Sequence, residues 1–172
     1  MRLLLCKLGL LAGLVLGIPG CGGPSFDGRV YRSNELSFRV GPLPQDWRGI
    51  QVDGARLAFR DDRQGATIAM NGRCGVDGDD VPLTALTHHL FLSFTDIQVL
   101  ASARQQLDAR EALRTELLAE LDGVPRRFVV YVLKKDGCVY DFMWIGDPEA
   151  PPSSSDGFQR FVLGFSTEIR RG

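Results

Sequence analysis

Strict alternation of apolar and polar residues predicts β-strands in the first part of the chain. Leu36, Phe38 and Val40 alternate with polar side chains, which is typical of a half-buried strand, and a Gly-Pro pair ends the pattern. A second alternation spans residues 55–73 and is interrupted by the turn sequence DDRQG. This segment therefore predicts a β-hairpin.

Two segments change to the period of an amphipathic helix. The first begins near Asp80 and Pro82, which are residue types favoured at a helix start, and the second begins at Ser155 or Asp156. Apolar residues recur at helical spacing in both segments: Leu83, Leu86, Leu90, Phe91 and Phe94 in the first, and Phe158, Phe161, Val162 and Phe165 in the second. We expect each apolar stripe to pack on a sheet.

The segment 101–121 fits both a helix and a strand by composition, because helix-forming residues dominate it but its leucines also fall on one face of a strand. The turn sequences favour the strand. They recur every 14 residues, at Asp108-Ala109, Asp122-Gly123 and Asp136-Gly137, and Asp-Gly between apolar alternations is a strong hairpin signal. We therefore predict a strand over 110–121, within a four-stranded antiparallel meander over 97–146.

The order of predicted elements is strand, hairpin, helix, meander and helix. It favours an α+β fold with one antiparallel sheet of about six to seven strands covered by helices. This order, with LSFRVGPLPQDW early and LDGVPRRFVVYVLKKDGCVYDFMWI later, resembles the PsbP-like superfamily over Tyr31 to Glu168. The resemblance implies an α/β/α sandwich that serves as a binding scaffold, and it supplies no catalytic motif.

The N-terminus has the pattern of an export signal. Two positive charges precede an uncharged apolar run from Leu8 to Ile18, which is typical of a signal peptide and shorter than the roughly 20 residues of a transmembrane helix. The run ends in Ile18-Pro19-Gly20-Cys21, which resembles the lipobox of bacterial lipoproteins, although Pro19 departs from the usual residue there. An uncleaved signal anchor with an incidental cysteine is the alternative.

The lipobox resemblance implies that Cys21 is acylated and that the bilayer is its first partner. It divides the chain into a lipoprotein signal peptide over 1–20, a lipidated tether over 21–30 and one globular domain over 31–172. At least two acyl chains give a stable anchor. The implied location is the cell envelope, and Gly22 in place of an aspartate favours the outer membrane by the sorting rule of such lipoproteins.

Two further cysteines, Cys74 and Cys138, lie at predicted strand ends in the exported part of the chain. Because exported proteins meet an oxidising environment, we predict a Cys74–Cys138 disulfide. The alternative is two separate buried thiols, each acting as a small apolar side chain.

Catalytic and metal-binding patterns are not evident. His88 and His89 are adjacent on a predicted helix and point about 100° apart, so they do not converge on a metal; no nucleophile elbow, phosphate loop or calcium loop is present. The net charge of −1 lacks the basic signal of a nucleic-acid-binding protein. We expect a non-enzymatic binding or assembly module without a cofactor; a small-molecule or metal-binding periplasmic protein is the alternative, and a hydrolytic enzyme ranks last.

One strand raises the question of a ligand face. Tyr140, Phe142 and Trp144 alternate with Asp141, Met143 and Ile145. A helix that covers only one face would leave the other for a ligand. We expect both faces to be covered, because aromatic strand faces are usually core.

Overall fold

A computed structural model describes residues 23–75 and 80–168. Eleven strands, two α-helices and one 3-10 turn occur in these residues. The strands are β1 Ser25–Phe26, β2 Val30–Arg32, β3 Ser37–Arg39, β4 Arg48–Ile50, β5 Leu57–Asp61, β6 Ala66–Cys74, β7 Thr95–Leu107, β8 Arg110–Leu121, β9 Val124–Lys135, β10 Cys138–Gly146 and β11 Ser166–Thr167. The helices are α1 Leu83–His89 and α2 Asp156–Leu163, and the 3-10 turn is Pro152–Ser155.

The main sheet has seven antiparallel strands in the order β4-β5-β6-β10-β9-β8-β7. Both the hairpin β5–β6 and the meander β7–β10 are confirmed, and residues 110–121 are a strand. Each meander turn has two central residues with positive φ, as the type I′ turn requires. At the first turn this conformation falls on Asp108 and Ala109, at φ 49° and 57°.

The small sheet was not expected. Strands β1, β2, β3 and β11 form a separate four-stranded antiparallel sheet, so the segment around Phe38 does not join the main sheet as predicted. Phe38 is fully buried and stacks on Tyr31 with ring centroids 4.9 Å apart. The sequence pattern revealed a half-buried strand correctly, but it carried no information on which sheet that strand joins.

The folded domain also begins earlier than residue 31. Ser25–Phe26 forms strand β1, and the Phe26 ring lies 5.8 Å from that of Phe59 in the main sheet. Part of the segment predicted as tether is therefore integral to the domain. Cys21 and the rest of the signal and lipobox residues lie outside the described residues.

The main sheet separates two hydrophobic cores. One core lies between the sheet, the small sheet and α2. It contains alternate residues of β9 and β10, namely Val129, Tyr131, Leu133, Tyr140, Phe142 and Trp144. The other core lies on the opposite face beneath α1 and the turn that follows it, where it uses the intervening residues Phe128, Val130, Val132 and Val139.

Both helices form where the apolar period predicts them, but no side chain caps the N-terminus of either helix. Helix α1 begins after Pro82, with no side-chain cap from Asp80, and ends at His89, so Phe91 and Phe94 lie in the turn that follows. Helix α2 begins at Asp156, and the Ser155 hydroxyl bonds the Pro152 carbonyl at 3.0 Å instead of capping. The preceding 3-10 turn uses the hydroxyl that a cap would need.

Candidate binding groove

An apolar groove lies between α1 and the two outer strands β7 and β8, with a volume of about 210 Å³. Its floor is formed by Leu113 and Leu117, which are 5% and 2% exposed. The outer wall is Ile97 and Val99 of β7, which are 42% and 58% exposed. Thr84, Thr87, His88, Phe91, Ser102 and Thr115 complete the lining.

The groove exists because α1 is short and lies over β8 and β9 without covering β7. Phe91 and Phe94, in the turn after α1, pack edge-on against Phe128 with ring centroids 5.4 and 5.2 Å away. This contact fixes the turn over the middle of the sheet. Ile97 and Val99 of β7 therefore lie beyond the covered area and remain 42% and 58% exposed.

Strand β7 is also one of the two edges of the main sheet, and β4 is the other. Its pairing with β8 is irregular twice near the groove, between Thr95 and Gln98 and between Val99 and Ala101. Such bulges turn successive side chains and interrupt the ladder of backbone groups. They place Val99 opposite Leu117 on the groove side while the later part of β7 pairs regularly.

A polar depression of about 350 Å³ continues from the groove, and Thr84 lines both. Its charged side chains are Arg104, Arg110, Glu111 and Lys134. Arg104 donates to Glu111 at 2.9 Å, and Lys134 donates to a backbone carbonyl of the loop before α1 at 3.0 Å. Among the described residues that line it, the depression therefore combines three cationic side chains with one carboxylate, and Arg104 is paired with that carboxylate.

The face of β10 raised as a ligand candidate is closed. Tyr140, Phe142 and Trp144 are each at most 2% exposed in the first core, and the other side of the strand packs into the second core through the half-buried Met143 and Ile145. The expectation that both faces are covered is met. The open apolar surface lies three strands further out, at β7.

Asp141 is a buried ionisable residue on that otherwise apolar and aromatic strand. It is 9% exposed, and among the described residues its nearest cation is Arg73, 3.7 Å from the carboxylate. Burial raises the pKa of Asp141, and the charge of Arg73 offsets only part of this. One of its oxygens has no hydrogen-bond partner in the described part of the chain.

A second polar cluster joins two meander turns to the small sheet. The Asp108 carboxylate accepts from the backbone N–H of Thr167 at 2.8 Å, and Lys135 lies 2.6 Å from it. Burial alone would raise the pKa of Asp108, but the bonds from Lys135 and Thr167 outweigh it and lower the pKa. Burial, with Asp136 and Asp108 nearby, raises the pKa of Tyr140 to about 12. This cluster acts as a structural link.

The cysteines and histidines are in separate places. Cys74 and Cys138 form a disulfide between the ends of β6 and β10. His88 lines the groove, whereas His89 is exposed and is not part of its lining. In residues 23–75 and 80–168 no three metal-ligating side chains are grouped, and no helix there is long and apolar enough to cross a membrane.

Sequence reasoning missed the groove residues of β7 and β8. Ile97 and Val99 follow the alternation of a buried strand face, and nothing in the pattern distinguishes a covered apolar residue from an exposed one. Arg104 and Arg110 stand 30 and 24 residues before Lys134. The three residues line one depression only because the meander folds the chain back on itself. The one signal in the sequence was the change along β7 from three large apolar residues within 97–100 to small and polar residues at 101–106, which indicates a strand that is not covered along its whole length.

No protein-family model and no curated protein sequence matches the chain. Solved structures do match. The solution structure of cyanobacterial PsbP, CyanoP, from Synechocystis sp. PCC 6803 is similar over 92% of this chain and 99% of that one, with a TM-score of 0.59 and 13% identity. The chain has a PsbP-like fold.

Two further structures share this PsbP-like fold. LpqN, involved in cell envelope biogenesis of Mycobacterium tuberculosis, is similar over 85% of this chain and 90% of that one, with a TM-score of 0.55 and 14% identity. A Bacteroides thetaiotaomicron protein is similar over 86% of this chain, with a TM-score of 0.59 and 8% identity. The chain spans about half of that protein, 51% of its length.

Proposed function

We propose that this protein is a lipid-anchored, non-enzymatic binding module of the bacterial cell envelope. Acylated Cys21 tethers the domain to a membrane, with the outer membrane as the expected one, and the groove between α1 and β7 is the binding surface. The observation that carries the proposal is the groove itself, in which Ile97 and Val99 stand exposed above a buried apolar floor.

Two features support an envelope location. The lipobox-like ending at Cys21 follows a charged and then an apolar segment, the order of an export signal. The Cys74–Cys138 disulfide fits a compartment in which thiols are oxidised. A protein of similar fold, LpqN, is involved in cell envelope biogenesis, which agrees with this location.

The chemistry of the groove supports binding rather than catalysis. Its walls are apolar and hydroxyl-bearing side chains together with one imidazole, that of His88, and the carboxyl and phenol groups with raised pKa, Asp141 and Tyr140, are on β10 and do not line it. Catalysis requires an acid, a base and a reacting group in mutual reach. An apolar slot with few polar groups is instead the usual form of a ligand site.

Anchoring is tested with Cys21→Ser. We expect the wild-type protein to carry the added mass of acyl chains and to sediment with membranes, at the density of the outer membrane in a sucrose gradient. The variant should lack that mass. A variant of unchanged mass and distribution contradicts the lipid anchor, and a wild-type protein at inner-membrane density contradicts the outer-membrane location.

The binding surface is tested by photolabelling of the full-length, anchored protein in phosphatidylcholine vesicles. The probe is dodecanol with a diazirine at its chain end, and labelled peptides are located by mass spectrometry. We expect labels on the groove strands β7 and β8 that Val99→Glu removes. Val52→Glu changes a valine that is also exposed, at 42%, but lies in a loop outside the groove, and should leave the labels in place. Labelling that ignores Val99→Glu contradicts the proposed surface.

A further inference from the structure

An acidic pocket lies on the face of the main sheet opposite to the groove, between the small sheet and the turn at Asp136. Its volume of about 390 Å³ falls within the roughly 300–1,000 Å³ of ligand sites. Three carboxylates line it, those of Glu35, Asp136 and Glu168, and no described lysine or arginine side chain does. Ser37 and Thr167 add hydroxyl groups. The pocket therefore offers negative charge and hydrogen-bond acceptors.

Tyr140 distinguishes this pocket from an acidic patch on the surface. The residue is 2% exposed, and its ring packs on Phe165 with centroids 4.9 Å apart. Its hydroxyl has no hydrogen bond in the described part of the chain. Unlike the Tyr131 hydroxyl, which is fully enclosed, it opens into the pocket. A buried polar group of this kind is stabilised by a partner that reaches it through the opening.

The carboxylate of Asp136 is the uncompensated charge of the pocket. The other two carboxylates are already paired, Glu35 with Arg56 and Glu168 with Arg39. Asp136 lies at the exposed rim and has no ion pair among the described residues. A cation that enters the pocket therefore pairs with Asp136 without breaking an existing salt bridge.

Asp136 and Tyr140 act on the same space. Burial, with the charges of Asp136 and Asp108 nearby, raises the pKa of Tyr140 to about 12, so its phenol is protonated and neutral at pH 7. The phenol oxygen then accepts a hydrogen bond, as the carboxylate of Asp136 does. A cation with several N–H donors contacts both groups at once.

We infer that this pocket binds a primary alkylammonium group, with the ammonium between Asp136 and the Tyr140 hydroxyl and the alkyl chain against Leu36 and Cys138, which also line the pocket. A free aliphatic amine and a lysine side chain both carry this group. The site is separate from the groove, because Tyr140 belongs to the first core and the groove residue Phe91 to the second. The inference is therefore independent of the proposed function.

Other cations fit the pocket less well. Ca²⁺ takes about six to eight oxygen ligands, and no three metal-ligating side chains are grouped in the described residues. A quaternary ammonium binds the face of an aromatic ring, whereas the Tyr140 ring is packed against Phe38 and Phe165. A guanidinium favours both oxygens of a carboxylate, and one oxygen of Asp136 already accepts from the Thr167 hydroxyl at 2.9 Å. An ammonium is a point charge with three donors and requires none of these arrangements.

The test compares two photoprobes that differ only in the head, diazirine-bearing pentylamine and pentanol, on the anchored full-length protein in an amine-free buffer at pH 7. We expect the amine to label the pocket peptides at concentrations at least about tenfold lower than the alcohol, because hydrogen bonds between charged groups are stronger than those between neutral groups. Asp136→Asn should remove this preference. Asp122→Asn makes the same change at the equivalent position of the preceding turn, also at φ 53°, and should keep it.

Two further arms test the position and the source of the ammonium. Tyr140→Phe keeps the buried ring and removes the hydroxyl, so it should raise the amine concentration needed for labelling by about threefold. Competition by n-pentylamine and by a blocked Gly-Lys-Gly peptide compares the two sources. The stronger competitor identifies the source, and absence of competition by both contradicts the site.

Several results overturn the inference and leave the proposed function standing, since dodecanol labels the groove on the other face. Equal labelling by amine and alcohol, or an amine preference that survives Asp136→Asn in a protein with wild-type circular dichroism, shows that the pocket does not select an ammonium. Unchanged labelling of Tyr140→Phe places the amine outside the buried end. Displacement of the amine by an equal concentration of Ca²⁺ shows that the pocket binds a metal ion instead.

Discussion

Cys74 and Cys138 face each other directly across the β6–β10 ladder, with their Cα atoms 4.0 Å apart. The ladder already holds these strands together in the folded state, so the bond acts chiefly on the unfolded chain, in which it closes a loop across 64 positions. Such a loop corresponds to about 4 kcal/mol in the chain-entropy model.

Replacement of both cysteines by alanine should therefore lower the free energy of unfolding by about 2–4 kcal/mol. The slope of that free energy against urea concentration should rise, because the uncrosslinked unfolded chain exposes more surface. Urea titrations of the double variant, and of the wild type with and without reductant, measure both effects. Identical transitions with and without reductant are incompatible with the bond.

The first meander turn carries a strained residue that can be relieved. Ala109 has φ 57°, whereas the equivalent positions of the next two turns are Gly123 and Gly137. A left-handed conformation costs a residue with a Cβ about 1–2 kcal/mol. Ala109→Gly should raise stability by about 1 kcal/mol, as measured by urea unfolding.

A glycine elsewhere in the hairpin gives the matched control. Ala101→Gly, within strand β7, should lower stability by about 0.5–1 kcal/mol, because glycine loses more backbone freedom on folding. If both variants shift stability in the same direction, the explanation by turn conformation fails.

Asp108 and Asp122 occupy the same position of successive turns, at φ 49° and 53°, but only Asp108 contacts Lys135 and Thr167. The lowered pKa of Asp108 means that its stabilisation is present above the unfolded value near 3.8 and is lost as pH falls through the folded pKa. Asp108→Asn should lower stability by about 1.5 kcal/mol at pH 7. This difference should shrink towards pH 2.

Asp122→Asn is the control for that prediction. Asparagine tolerates the left-handed turn as aspartate does, and Asp122 has no ion pair among the described residues, so its variant should follow the wild type at every pH. Chemical denaturation between pH 2 and pH 7 gives the comparison. A constant deficit of Asp108→Asn across that range would point to lost packing and not to the charge.

The pH dependence of stability that Asp141 causes should have the opposite sign to that of Asp108. Its pKa is raised by burial, so the folded state takes up a proton before the unfolded state does, and stability falls as pH rises from 3.8 through the folded pKa. Asp141→Asn removes the buried charge and should gain about 1 kcal/mol at pH 7. The gain should vanish below pH 3.8, and a gain that persists there would contradict the charge explanation.

The meander could be predicted because its information is local. The turns at Asp108, Asp122 and Asp136 each require a left-handed pair, and their equal spacing sets strand length without any knowledge of distant contacts. This spacing outweighed the helix propensity of residues 101–121. The Cys74–Cys138 disulfide was predictable from the expected compartment and from the position of both cysteines at strand ends. The pairing register of β6 with β10, which places the two residues opposite each other, was not predictable.

The small sheet and the groove could not be predicted for the same physical reason. Strands of two or three residues, such as β2 and β3, gain their stability from packing partners far along the chain, so their pattern does not identify a sheet. Exposure of Val99 results from the length of α1, which ends at His89 because the following residues turn to bring Phe91 onto Phe128. Helical spacing continues past that point in the sequence and conceals the end.

Strand β9 contributes to both cores, with Phe128, Val130 and Val132 on one side and Val129, Tyr131 and Leu133 on the other. A slip of one residue would exchange these two sets and still bury apolar side chains everywhere. Hydrophobicity alone therefore leaves the alignment of the central strand undetermined. The glycines at 123 and 137, fixed in left-handed turns at its two ends, set that alignment, because turn geometry fixes the register of the hairpins on either side of the strand.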